Sequence, residues 1–99
     1  DIDNGKIIAQ GTPSDLIKTD GESHINIAAS NWNQKYLEGY EVNLNSDNTI
    51  NIKSNDTEKD IPIIIEKLAK NGAAINKLNV KKASLEDVFI KLTGKRIDD

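Results

Sequence analysis

His24 is the only histidine in the 99 residues, and no cysteine is present. A zinc site needs three or four His, Cys or carboxylate ligands, and a Ser or Thr nucleophile needs a base beside it, so neither has its parts here. His24 follows Ser23 at the start of an alternating segment and reads as a solvent-facing strand residue. The carboxylates gather as Asp56-Glu58-Asp60 and as Glu86-Asp87, both where helices are expected to begin. Capping and complementarity to the positive helix end account for both groups. The loop Asn45 to Asn48 is too short of oxygen ligands for a calcium hand. No G-x-x-x-x-G-K-[ST] phosphate loop occurs: Gly5-Lys6 runs into Ile7, and Gly5 and Gly11 lack the third glycine of a dinucleotide fingerprint. No catalytic, cofactor-binding or metal-binding residue is therefore expected.

The elements that would position these residues must be built around an aliphatic core. Hydrophobic residues are 36% of the chain and include one Trp, one Phe and two Tyr, an amount suited to one modest core. The net charge of −3 gives no broad positive field for nucleic-acid phosphates. Lys70, Lys77, Lys81, Lys82, Lys91, Lys95 and Arg96 concentrate in the last third, interleaved with Glu66, Glu86, Asp87, Asp98 and Asp99, the pattern of solvated helix and strand faces. The longest apolar stretch, residues 61–65, is interrupted by Pro62 and falls far short of the roughly 20 residues of a spanning helix. Residues 1–5 show neither the basic nor the apolar region of a signal peptide. With no initiator Met, the chain is expected to begin inside a longer protein.

Asn4-Gly5 between Ile2 and Ile7 predicts a tight hairpin turn, with a second strand over residues 6–10. Thr12-Pro13-Ser14-Asp15 predicts the start of a short helix that stops at Asp20-Gly21. Beyond this, Ile25 and Ile27 alternate with Asn26 and predict a strand to about Ala29. Trp32, Tyr36 and Tyr40, spaced by four, predict an amphipathic helix over residues 31–40. Val42 and Leu44, then Ile50 and Ile52, predict two antiparallel strands around the loop Asn45 to Asn48. Asp60 is read as the cap of a helix carrying Ile61, Ile64, Ile65 and Leu68, with Pro62 in its first turn and Asn71-Gly72 at its end. Ile75, Leu78 and Val80 predict a strand in which Ile75 is out of phase, the mark of a bulge or a late start. Ser84-Leu85-Glu86-Asp87 resembles a capping box ahead of a last helix with Leu85, Val88, Phe89 and Leu92 on one face and Thr93-Gly94 at its end. The fold class expected is α+β: a ferredoxin-like βαββαβ sandwich with an extra C-terminal helix, preceded by a hairpin and a short helix.

Two stretches carry a family resemblance. Residues 3–13, Asp3-Asn4-Gly5-Lys6-Ile7-Ile8-Ala9-Gln10-Gly11-Thr12-Pro13, with Asp15-Leu16, resemble the segment that closes the ATP-binding domain of ABC transporters. Residues 84–94, Ser84-Leu85-Glu86-Asp87-Val88-Phe89-Ile90-Lys91-Leu92-Thr93-Gly94, resemble the end of the C-terminal extension on ATPase subunits of bacterial ABC exporters of the drug, antibiotic and Na⁺ efflux type. The resemblance implies a boundary at residue 21, with residues 1–21 closing the ATPase domain and residues 22–99 forming an accessory domain. It implies an upstream ATPase domain that binds ATP and Mg²⁺, the chain itself holding no cofactor. The implied partners are that domain, a second ATPase subunit and a membrane permease, at the cytoplasmic face of the cell membrane, with neither nucleic acid nor direct membrane insertion. The residues it singles out, as structural or interaction residues, are Ser84, Leu85, Glu86, Asp87, Val88, Phe89 and Leu92.

The leading expectation is a non-catalytic accessory or regulatory domain acting through protein contacts. A ferredoxin-like domain that senses a small ligand is the alternative, and it should show an apolar pocket with convergent polar groups. An RNA-recognition module of the same strand order is disfavoured by the lack of aromatics at Ile25, Ile27, Ile50 and Ile52 and by the acidic pI of about 5.1.

Overall fold

Period-two alternation places Ile25 and Ile27 on one side of a strand and His24 and Asn26 on the other, and the sheet follows from such segments. The computed structural model describes residues 2–3, 6–7, 11–13, 15 and 21–95. In chain order the elements are β1 (Ile2–Asp3), β2 (Lys6–Ile7), β3 (Ser23–Ser30), a 3-10 turn (Gln34–Leu37), β4 (Glu41–Leu44), β5 (Ile50–Ser54), α1 (Thr57–Lys70), β6 (Ala74–Lys81) and α2 (Leu85–Thr93). Asp3 pairs with Lys6, so two residues join β1 to β2, the length an Asn-Gly turn requires. The turn itself and the strand expected over residues 8–10 lie outside the described residues. At Thr12 the expected helix start is present: Asp15 N donates to Thr12 Oγ1 at 3.1 Å, and Thr12 N donates to Asp15 Oδ2 at 3.4 Å. Residues 16–20 of that helix are likewise outside the described set.

β3 to β6 form one antiparallel sheet in the order β4-β5-β3-β6, the arrangement of a ferredoxin-like sandwich. Ile25 lies opposite Ile52 and Val80, and Ile27 opposite Ile50 and Leu78, so one face is a continuous aliphatic layer. Ile64 and Leu68 of α1 and Leu37 of the 3-10 turn complete it, all fully buried. The opposite face is polar. There Asn43, Asn51, Asn26 and Asn79 fall in one row across all four strands, and Asn45 Nδ2 donates to Asn26 Oδ1 at 2.9 Å.

Three expectations need correction. Residues 31–40 form a single 3-10 turn and no amphipathic α-helix. Asn31 at φ 56° and Gly39 at φ 93° consume the chain in reversing direction, and Asn33 caps the turn by accepting from Lys35 N at 3.0 Å. One turn then fits between β3 and β4, enough to bury Leu37 while Trp32, Tyr36 and Tyr40 stay half-buried against the core. α1 starts earlier than Asp60, because Asp56 is the cap, its carboxylate accepting from Lys59 N at 3.2 Å. Pro62 is consequently inside the helix, on an exposed position where water can meet the carbonyl that its missing N–H leaves unpaired. Freed from capping, Asp60 accepts the hydroxyl of buried Ser54 at 2.6 Å. The third correction concerns α2 and belongs to the site.

The expected irregularity in β6 is a bulge. Ala28 lies opposite Lys77 and Ala29 opposite Ile75, so Asn76 is the extra residue that brings Ile75 and Leu78 into one strand.

Candidate functional site

α2 carries all of the sequence-singled residues. Ser84 sits at φ −113° and ψ 162°, its hydroxyl accepts from Asp87 N at 3.1 Å, and Asp87 Oδ2 accepts from Ser84 N at 3.2 Å, a complete capping box. Glu86 and Asp87 place negative charge in the first turn and Lys91 places positive charge in the last, each matching the helix dipole. Gly94 closes the helix in the left-handed region at φ 75°, its N–H bonded to Ile90 O at 2.7 Å.

The helix is held at the end of the sheet where β3 begins and β6 ends. Ala83 N donates to the buried Ser23 hydroxyl at 2.8 Å, and Lys82 Nζ donates to Thr57 Oγ1 at 2.6 Å. These two bonds fix the short connection between β6 and α2 to β3 and to the first turn of α1. Ser23 and Thr57 were not picked out from sequence. Ser23 did carry a signal: it is in phase with Ile25 and Ile27 and so belongs to the covered face, where a hydroxyl needs a partner.

Leu85, Val88, Phe89 and Leu92 were expected to be buried as one stripe. Only Val88 is buried; Leu92 is half-buried, while Leu85 and Phe89 remain 43% and 38% exposed. α2 therefore docks through the Val88 flank of its apolar face. Leu85 and Phe89, one helical turn apart, form the other flank and face solvent.

His24 stands on the polar face, as its strand position implies. Its Nε2 lies 3.3 Å from Glu22 Oε2 and its Nδ1 is 2.9 Å from the Asn51 side-chain amide, which can turn to present either atom to the ring. Glu22 also reaches Lys53 at 3.8 Å, and Lys53 meets Glu41 at 2.6 Å. The Glu41 hydrogen bond, then the Glu22 charge, raises the Lys53 pKa. Burial, then the Asp60 charge, raises that of Tyr40. Asp56 and Asp60 are committed to the cap and to Ser54, and no group of three or more His, Cys, Asp or Glu is placed to share a metal among the described residues.

Two clefts flank α2. One, of about 590 Å³, lies between the 3-10 turn, the end of β5 and α1, and is lined by Tyr40, Ser54 and charged residues including Glu38, Glu41, Lys59 and Lys67. The other, of about 370 Å³, is lined by Glu22, His24, Lys81, Lys82, Asp87, Ile90 and Lys91. Neither matches the apolar pocket expected of a sensor for hydrophobic compounds. The argument against RNA also needs a change of residues: Ile25, Ile27, Ile50 and Ile52 lie beneath α1, where no base could reach them. The positions open to stacking on the central strands are His24, Asn26, Asn51 and Lys53, which include no Phe, Tyr or Trp.

A ferredoxin-like sheet with a tethered, half-docked terminal helix defines an α+β module built around contact surfaces. Residues 11–93 match the family model described as ATP-binding protein DrrA1-3-like, C-terminal domain, and the chain belongs to that family. It is thus the C-terminal region of an ABC-type ATP-binding protein. No curated protein and no solved structure matches it.

Proposed function

We propose that this domain is a non-catalytic regulator of an exporter ATPase, of the drug, antibiotic or Na⁺ efflux type, and that it acts through α2. In this reading residues 1–21 close the ATPase domain, residues 22–99 are the accessory domain, and ATP and Mg²⁺ bind upstream. Leu85 and Phe89 pack against the ATPase domain or its dimer partner, at the cytoplasmic face of a membrane permease. The observation that carries it is the exposed Leu85–Phe89 pair on a helix whose position is fixed by Ser23 and Thr57. Surface apolar pairs held in place by a rigid scaffold are characteristic of docking sites.

The test is the double substitution Leu85→Ala/Phe89→Ala in the full ATPase subunit. The expected result is a change of several-fold in ATP turnover or in subunit dimerisation, read by phosphate release and sedimentation, with the melting temperature of the accessory domain little altered. Unchanged turnover, dimerisation and transport would refute the proposal.

A further inference from the structure

The 370 Å³ cleft beside α2 has an uneven charge balance. Its lining contains the ammonium groups of Lys81, Lys82 and Lys91 against the carboxylates of Glu22 and Asp87. Both carboxylates are already engaged, Glu22 with His24 and Lys53 and Asp87 with the backbone N–H of Ser84. Lys82 donates to the neutral hydroxyl of Thr57, which leaves its charge uncompensated. Lys81 and Lys91 make no hydrogen bond or ion pair with the described residues. Three ammonium groups from two elements and the connection between them thus converge on one concavity with no anion of their own.

Ile90 is the one apolar side chain in the lining, so an apolar ligand would lose more hydration than it gained. The size is at the lower end for small-molecule sites. A monocarboxylate would answer one of the three charges, whereas a phosphate group brings multiple charge and several acceptor oxygens to the same point. The concavity, too, favours a compact anion over the extended surface of an acidic protein.

We propose that this cleft binds a phosphate-bearing small anion and that Lys81, Lys82 and Lys91 hold it. Such an anion would join α2 to the end of β6 and so stiffen the seat of the helix. The proposal is independent of the docking role of Leu85 and Phe89, which lie on a different flank of α2.

The experiment is an amide NMR titration of the 99-residue chain with sodium pyrophosphate at constant ionic strength, using sodium chloride as the control. Saturable shifts confined to His24, Lys81, Lys82, Ile90 and Lys91 are expected, with affinity falling as salt is raised. Lys81→Gln and Lys91→Gln should each weaken binding about tenfold, the loss of one charge-assisted hydrogen bond. Lys70→Gln, at the far end of α1, should leave it unchanged. Sedimentation with phosphatidate-containing vesicles, lost in Lys81→Gln/Lys91→Gln, would support the same chemistry with a lipid headgroup as its source. Diffuse or non-saturating shifts, an equal response to chloride, or unchanged affinity in the lysine variants would overturn the proposal. Tighter binding of an Asp-rich peptide than of pyrophosphate would overturn it in favour of an acidic protein partner.

Discussion

Asp47 illustrates how a single side chain organises a turn. Its Oδ1 accepts from Thr49 N at 3.0 Å and from Thr49 Oγ1 at 2.6 Å, while Asn48 takes φ 67°, a conformation that Asn tolerates better than most residues. The Thr49 side-chain bond, then its backbone bond, holds the Asp47 carboxyl below its ordinary pKa. Because the pKa is depressed on folding, the stabilisation is complete above the unfolded value and is lost as pH falls through the folded one. Thr49→Val keeps the backbone bond and removes the hydroxyl, so the Asp47 pKa should rise partway toward normal. Carboxyl-carbon NMR over acidic pH measures this directly. The loop was legible from Asn45-Ser46-Asp47-Asn48; Thr49 was not, because its role depends on where its hydroxyl points after the turn has formed.

Among the elements, α2 depends most on its cap. It has nine residues and buries only Val88 completely, so packing alone gives it little support. Ser84→Ala removes the acceptor for Asp87 N and should cost about 1 kcal/mol. The loss should appear as faster hydrogen exchange at Val88 to Leu92, with the amides of β3 and β5 unaffected; uniform acceleration across the sheet would mean that α2 is integral to the core. Ser84→Asp should retain protection. The capping box was readable because it lies within four consecutive residues. The 3-10 turn over residues 34–37 was misread as α-helix because its length is set by the distance between β3 and β4, a quantity that the spacing of Trp32, Tyr36 and Tyr40 does not contain.

For the molecule as a whole, stability rests on the layer between the sheet and α1. Ile25 is fully buried between Ile52 and Val80, and Ile25→Ala should cost about 2 to 5 kcal/mol. That is a large share of the roughly 5 to 15 kcal/mol typical of a domain. Leu85→Ala, at 43% exposure, should change stability by about 0.5 kcal/mol or less. Urea unfolding of the two variants side by side tests the division between core and contact surface. Similar losses in both would place Leu85 in the core and remove the basis for its docking role.

The sequence by itself determined the strand order, the bulged last strand, the cap of α2 and the lack of a catalytic ligand set. These depend on short-range information: period-two alternation, a four-residue capping pattern, and the count of His and Cys. It also supplied the apolar stripe of α2. Tertiary structure alone decided that the Val88 flank of this stripe is covered while Leu85 and Phe89 are not, since coverage depends on how the connection at Lys82 and Ala83 is tied to Thr57 and Ser23. Strand register aligned Asn43, Asn51, Asn26 and Asn79 in one row. The same long-range pairing brought Lys81, Lys82 and Lys91, which read in sequence as scattered solvated charges, to the rim of one cleft beside His24.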